Sequence, residues 1–194
     1  MHSAISNFIA LAEREAAAHA DSADRVLAIA PAMRRLAREG IGVLTQDQMR
    51  SDPAHYNRNA IHICPQGDIS LFALVWLPGQ WTPVHDHGSW GVVGVLQGHL
   101  QERAYMPRDG EIKTNDGIVL RRGGVVLLDP GSVSTFVPNP DHIHMTGVPE
   151  DGEVCVSLHL YGRNMDSFHI YDVDAGTRKL IDVPHQKVGT EVRN

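Results

Sequence analysis

Cysteine is nearly absent from this 194-residue chain: Cys64 and Cys155 are the only two, and no CxxC pair occurs. That excludes a disulfide framework, a CxxC redox motif and a cysteine-rich zinc site, and both thiols are expected to be buried. A basic block is also lacking. With 17 Lys and Arg against 23 Asp and Glu the net charge is −6, so the surface offers no counter-charge to phosphates and nucleic acid is not an expected partner. Long apolar runs are missing too: the longest, residues 71–77, has seven residues, where a membrane-spanning helix needs roughly 20. The short stretch 8–12 follows no basic segment and is closed by Glu13 and Arg14, so it does not read as a targeting segment and a cytoplasmic location is expected. Linkers, repeats and low-complexity segments are likewise absent, and residues 1–194 are read as one domain.

What is abundant is histidine, 12 residues, with two pairs at spacing two, His85/His87 and His142/His144. The first forty residues read as helices. Ser3 is the expected cap of a stripe Ile5, Phe8, Ile9, Ala12, and Ser22 or Asp24 of a stripe Val26, Ala30, Met33, Ala37 that stops at Gly40. Pro31 is expected to kink the second helix or start a fresh turn. Beyond residue 60 the pattern becomes short β-rich runs, at 70–77, 90–96, 100–105, 125–129, 133–137, 154–161 and 168–173. Turn signals separate them at Asp109-Gly110, Asp116-Gly117, Gly123-Gly124, Pro130-Gly131, Asp151-Gly152 and Gly176. The expectation is a mainly β fold, a double-sheet jelly roll or small barrel over 60–173, with helices of 1–40 packed on it and a C-terminal extension at 174–194.

Side chains alternate along a strand, so His85 and His87 share one side and their imidazoles can meet one metal ion. The stretch Asp141-His142-Ile143-His144 can supply a third ligand. Ser157, His159 and Tyr161 repeat the same parity and would line a polar cavity, while Val156, Leu158 and Leu160 pack on the opposite face. Taken singly, these features have plain structural alternatives: an isolated H-x-H occurs in cores and on surfaces, and an arginine such as Arg58 commonly forms a surface salt bridge. The context is more specific. Gly79, His85, His87 and Gly98 match the first cupin motif, G-x5-H-x-H-x3-E-x6-G, except that Gly91 replaces the glutamate. Gly124 and Pro130 keep the G-x5-P spacing of the second, but Gly131 comes too early for its next glycine and no asparagine follows the histidine pair. Without that glutamate three neutral imidazoles leave a divalent ion's charge unneutralised, which suits an anionic ligand such as a thiolate.

The segments Tyr56-Asn57-Arg58-Asn59, His85-Asp86-His87, Leu96-Gln97-Gly98 and Val156 through Tyr161 resemble the cysteine dioxygenase family, thiol dioxygenases of cupin (double-stranded β-helix) fold. The resemblance implies Fe(2+) bound by His85, His87 and His144, a small thiol substrate and O2. The family's third histidine lies thirteen residues before the serine of S-x-H-x-Y, which His144 satisfies relative to Ser157 and His142 does not. It further implies that Arg58 pairs with the substrate carboxylate beside Tyr56, and that Ser157, His159 and Tyr161 form a hydrogen-bond relay. Animal members carry a cysteine crosslinked to the active-site tyrosine where this chain has Gly91, so Tyr161 is expected to be unmodified. The expected reaction is oxidation of L-cysteine to its sulfinate, with 3-mercaptopropionate and mercaptosuccinate as alternative substrates that Trp90, Gly91 and Arg163 could favour. A non-catalytic metal- or ligand-binding cupin is the alternative of another class.

Overall fold

The computed structural model describes residues 1–138 and 142–183, together with the backbone of 186–187. Two helices lead: α1 (Ser3–Ala18) and α2 (Ser22–Arg38), followed by two short 3-10 turns. An N-cap must precede the first helical residue on extended backbone. His2 therefore caps α1 in place of Ser3, its Nδ1 accepting from the Ala4 N–H at 3.2 Å. Asp21 caps α2 in place of Ser22 or Asp24, accepting from the N–H groups of Ala23 and Asp24. α2 runs unbroken through Pro31, which lies on its exposed side.

Among the described residues twelve strands follow: β1 (Asn57–Ile63), β2 (Ser70–Trp76), β3 (Val84–His85), β4 (Gly91–Gln97), β5 (Leu100–Pro107), β6 (Leu120–Leu128), β7 (Val133–Phe136), β8 (Ile143–Gly147), β9 (Cys155–Tyr161), β10 (Ser167–Asp172), β11 (Thr177–Asp182) and β12 (Gln186–Lys187). They form two six-stranded sheets, ordered β12-β1-β2-β9-β4-β7 and β11-β10-β3-β8-β5-β6. Residues beyond 173 thus add strands to both sheets. Gly123 and Gly124, expected in a turn, lie inside β6. There Gly123 is pressed against Ala104, beside a bulge between Arg103 and Tyr105.

The helices cover the outer face of the first sheet. Leu71, Ala73 and Val75 of β2 and Val156, Leu158 and Leu160 of β9 pack with Ile5, Phe8, Ile29 and Met33. Alternate residues turn into the space between the sheets, among them Phe72, Leu74, Trp76 and Tyr161. Burial on both faces explains why β2 is apolar from Leu71 to Trp76 instead of alternating. At Gly94 a Cβ would come within 2.8 Å of Met33, so the glycine lets α2 lie directly on β4. This layer holds β9 in one register between β2 and β4, with Leu74 and Val95 flanking Ser157, and Ser70 and Gly91 flanking Tyr161. A slip of one residue would turn the polar row of β9 into the helices and the leucines into the cavity.

Candidate metal centre

β3 is only two residues long, yet it sets the centre. His85 lies directly opposite His144 of β8 and opposite Ile170 of β10. His87 follows just past the strand end, where Asp86 N–H donates to His169 C=O at 3.1 Å and continues the extended chain. Asp86 points the other way from the two histidines: its carboxylate accepts from Tyr171 OH at 2.7 Å and from the His169 N–H at 3.1 Å. This anchor on β10 was not foreseen from the sequence, although an acidic residue held between two same-side histidines was visible there.

All three histidines are buried, and their ligand nitrogens lie within 4.8 Å of one another. His144 Nε2 and His87 Nε2 approach to 3.3 Å. His85 Nδ1 lies 3.0 Å from Pro83 C=O, which fixes that nitrogen as the N–H and leaves Nε2 as an acceptor. Burial first, and then mutual repulsion, lowers the pKa of His85 and His87 well below the ordinary histidine value, and burial lowers that of His144. The rings are therefore neutral near pH 7. Lone pairs converging in a dry space are an unfavourable arrangement until a cation takes them, and three imidazoles suit a first-row divalent metal. The residues fit such an ion. His142 is placed differently: its Nε2 bonds Glu102 Oε1 at 2.9 Å, and its ring stacks on Phe136 at 5.4 Å.

The same pocket collects other residues of interest, whereas Ser157, expected to line it, lies behind His159. Tyr56, Arg58, Trp76, His159, Tyr161 and Phe168 line it together with the three histidines. Arg58 comes from β1 and is 7% exposed. Its Nη2 donates to Met165 C=O at 2.7 Å and its guanidinium lies 4.7 Å above the Phe72 ring. Its Nη1, however, is buried without a hydrogen-bond partner. Tyr56 stacks on Trp76 at 4.6 Å, and burial raises its pKa despite the nearby Arg58 charge.

On β9, Ser157 Oγ lies 2.9 Å from His159 Nε2, and His159 Nδ1 lies 3.3 Å from Tyr161 OH. Trp76 extends this row, its Nε1 donating to Ser157 Oγ at 2.9 Å. An indole N–H can only donate. Ser157 therefore accepts from Trp76, and in the His159 tautomer that carries its proton on Nδ1, Ser157 donates to Nε2 and Nδ1–H donates to the Tyr161 oxygen. In that tautomer the Tyr161 O–H is free to donate into the pocket. Burial holds His159 neutral, with a pKa of about 3, and pushes Tyr161 up to about 12.

Trp90 and Arg163 do not line the pocket. Trp90 packs with the helices, and the Arg163 guanidinium is engaged by Ser167 C=O and Ser167 Oγ. Gly91 lies directly across from Tyr161, and a Cβ there would collide with the Phe136 ring. Neither cysteine can reach Tyr161. Cys155 is six residues away on the same strand, about 20 Å, and burial raises its pKa to about 12. Cys64, expected to be buried, is only half-buried and bonds Gln66. Intact mass is expected to equal the sequence mass apart from initiator methionine processing; loss of two hydrogens at Tyr161 in peptide mass spectrometry would overturn this.

The family "Cysteine dioxygenase type I" matches residues 23–174. Human cysteine dioxygenase type 1 is 27% identical over 148 residues, spanning 74% of this chain and 69% of that protein. The Bos taurus protein of the same name is 28% identical over 140 residues, 71% and 66% respectively. Among solved structures, a double-stranded β-helix protein from Klebsiella pneumoniae is 16% identical with a TM-score of 0.47, covering 68% of this chain and 97% of its own. A cupin-like protein from Thermotoga maritima is 15% identical with a TM-score of 0.38, covering 69% and 84%. No helix among the described residues is long and apolar enough to cross a membrane. With most of its length matched by that family, this mainly β chain belongs to the cysteine dioxygenase type I family.

Proposed function

We propose that this protein is an iron(II)-dependent thiol dioxygenase that converts L-cysteine and dioxygen to cysteine sulfinate, adding both oxygen atoms to sulfur and releasing the thiol proton. The observation that carries this reading is the buried Nη1 of Arg58, unpartnered in the same pocket as three converging histidines. A buried guanidinium donor without an acceptor is costly, and a substrate carboxylate supplies the acceptor with matching planar geometry. His85, His87 and His144 would hold the iron, which supplies the redox chemistry for dioxygen and lowers the pKa of a thiol from its usual value of about 8.5.

The protein's own groups then do the orienting. Arg58 fixes the carboxylate, and the walls of Trp76, Tyr56 and Phe168 exclude water. With the proton of His159 on Nδ1, the relay from Trp76 through Ser157 and His159 presents the Tyr161 O–H as a donor toward the reacting sulfur and oxygen. Because His159 stays neutral, its ring keeps one N–H and one acceptor nitrogen across the physiological pH range. With iron held by the three histidines, the amine of cysteine would offer the metal a second donor beside sulfur, which would favour it over 3-mercaptopropionate. Mercaptosuccinate would bring a second carboxylate, and the described lining holds Arg58 as its one permanently charged cation. Two unpaired cysteines accord with the reducing cytoplasm as its location.

Oxygen uptake under identical iron loading tests the proposal with L-cysteine, 3-mercaptopropionate, mercaptosuccinate and cysteamine. The expected order of kcat/KM places L-cysteine first and cysteamine last. A tenfold advantage for 3-mercaptopropionate would remove the cysteine assignment and keep the reaction class. No uptake with any thiol would leave a binding cupin as the better reading.

A further inference from the structure

Gly91 stands where the cupin pattern places a carboxylate ligand, yet the fold brings another carboxylate up behind the histidines. Glu102 lies on β5, paired with β8 so that Ala104 is opposite His144 and Glu102 opposite Thr146. Residues 102 and 104 share a face, so the Glu102 side chain stands beside His144 on the cavity side. It is 7% exposed. One oxygen accepts from His142 Nε2 at 2.9 Å, and the other lies 3.6 Å from His144 Nδ1. That Nδ1 is buried and has no hydrogen-bond partner, while the opposite ring nitrogen, Nε2, is the one that approaches His87.

We propose that Glu102 is the positioning residue of the metal centre. It receives the Nδ1–H of His144, directs the Nε2 lone pair of that ring toward His85 and His87, and returns one negative charge to the site from just outside the ligand shell. His142 holds the carboxylate in place by its other oxygen, and is thereby part of the unit without being a ligand. This rests on His85, His87 and His144 being the metal ligands. A carboxylate is ordinarily ionised near neutral pH, and here one oxygen is engaged by His142 while the other faces His144. A carboxylate that accepts from a ligating histidine fixes its tautomer and makes it a better donor to the metal, and losing such a partner typically weakens metal affinity about 10- to 100-fold.

The test is titration of metal-free protein with cobalt(II), reading the dissociation constant by calorimetry and the ligand field by visible absorption. Glu102→Leu, which removes acceptor and charge, is expected to weaken cobalt binding about 10- to 100-fold and to change the spectrum. Glu102→Gln, nearly the same shape, keeps an acceptor without the charge and is expected to fall between Leu and wild type. Glu102→Gln also serves if Glu102→Leu fails to fold, which thermal melting of the metal-free proteins reveals. Wild-type affinity and spectrum in a folded Glu102 variant would overturn the positioning role. Unchanged cobalt binding by His144→Ala would instead overturn the ligand reading beneath it.

Discussion

Replacing Arg58 by alanine is expected to lower kcat/KM for L-cysteine by about 30-fold to several thousand-fold. Truncating one member of a buried, hydrogen-bonded charge pair costs about 2 to 5 kcal/mol, and the loss appears directly in kcat/KM. Arg58 meets the conditions for the high end, being almost fully buried, held by Met165 C=O and backed by Phe72, with Nη1 left for a ligand. Lysine keeps the charge and loses the planar fork, so Arg58→Lys should recover only part of the activity. Cysteamine, which has no carboxylate, provides the internal control: the ratio of its kcat/KM to that of cysteine should rise toward one in Arg58→Ala. Equal losses for both substrates would mean that the arginine supports packing and does not bind the carboxylate. The stacking on Phe72 predicts some loss of thermal stability as well, and melting curves separate that from the kinetic effect.

The other large effect concerns the metal. His144→Ala should abolish stoichiometric metal binding after anaerobic iron loading, whereas His142→Ala should still bind one ion per chain. The distinction follows from geometry. His144 sits across from His85 with Nε2 at 3.3 Å from His87, while His142 is engaged by Glu102 and stacked on Phe136. Removing one of three imidazoles leaves two donors in a dry space that would have to admit a hydrated ion. Elemental analysis of both variants decides it, and metal retained by His144→Ala but lost by His142→Ala would move the third ligand by two residues. Zinc can occupy the same nitrogens but has no redox chemistry, so zinc-loaded wild-type protein should show no thiol-dependent oxygen uptake.

Strand periodicity made much of the β-rich region and of this site legible. Apolar runs point to β2, β4, β5, β7, β9 and β10, and the run at 125–129 to the second half of β6. They do not point to β3, β8 and β1, because β3 has two residues, β8 is interrupted by His144 and β1 opens with Asn57-Arg58-Asn59. Those omitted strands carry His85, His144 and Arg58. Polar residues that face a site break the apolar pattern by which strands are recognised, so the functional strands were the hardest to see.

Parity along one strand needs only local geometry. The sequence alone therefore determined that His85 and His87 share a side, that Ser157, His159 and Tyr161 form one row, and that Val156, Leu158 and Leu160 form the other. Only the tertiary structure decided what these rows meet. Trp76 reaches Ser157 across 81 residues, Glu102 reaches His142 across 40, and Arg58 reaches Met165 across 107. Such contacts depend on which strands are neighbours and in what register, and a one-residue slip in β5 or β9 would send Glu102 or His159 to the opposite face. Sheet order and register are set by the whole pattern of burial, including the two helices that cover the first sheet. For that reason the charge behind His144 and the polarity of the Tyr161 relay cannot be read from spacing along the chain.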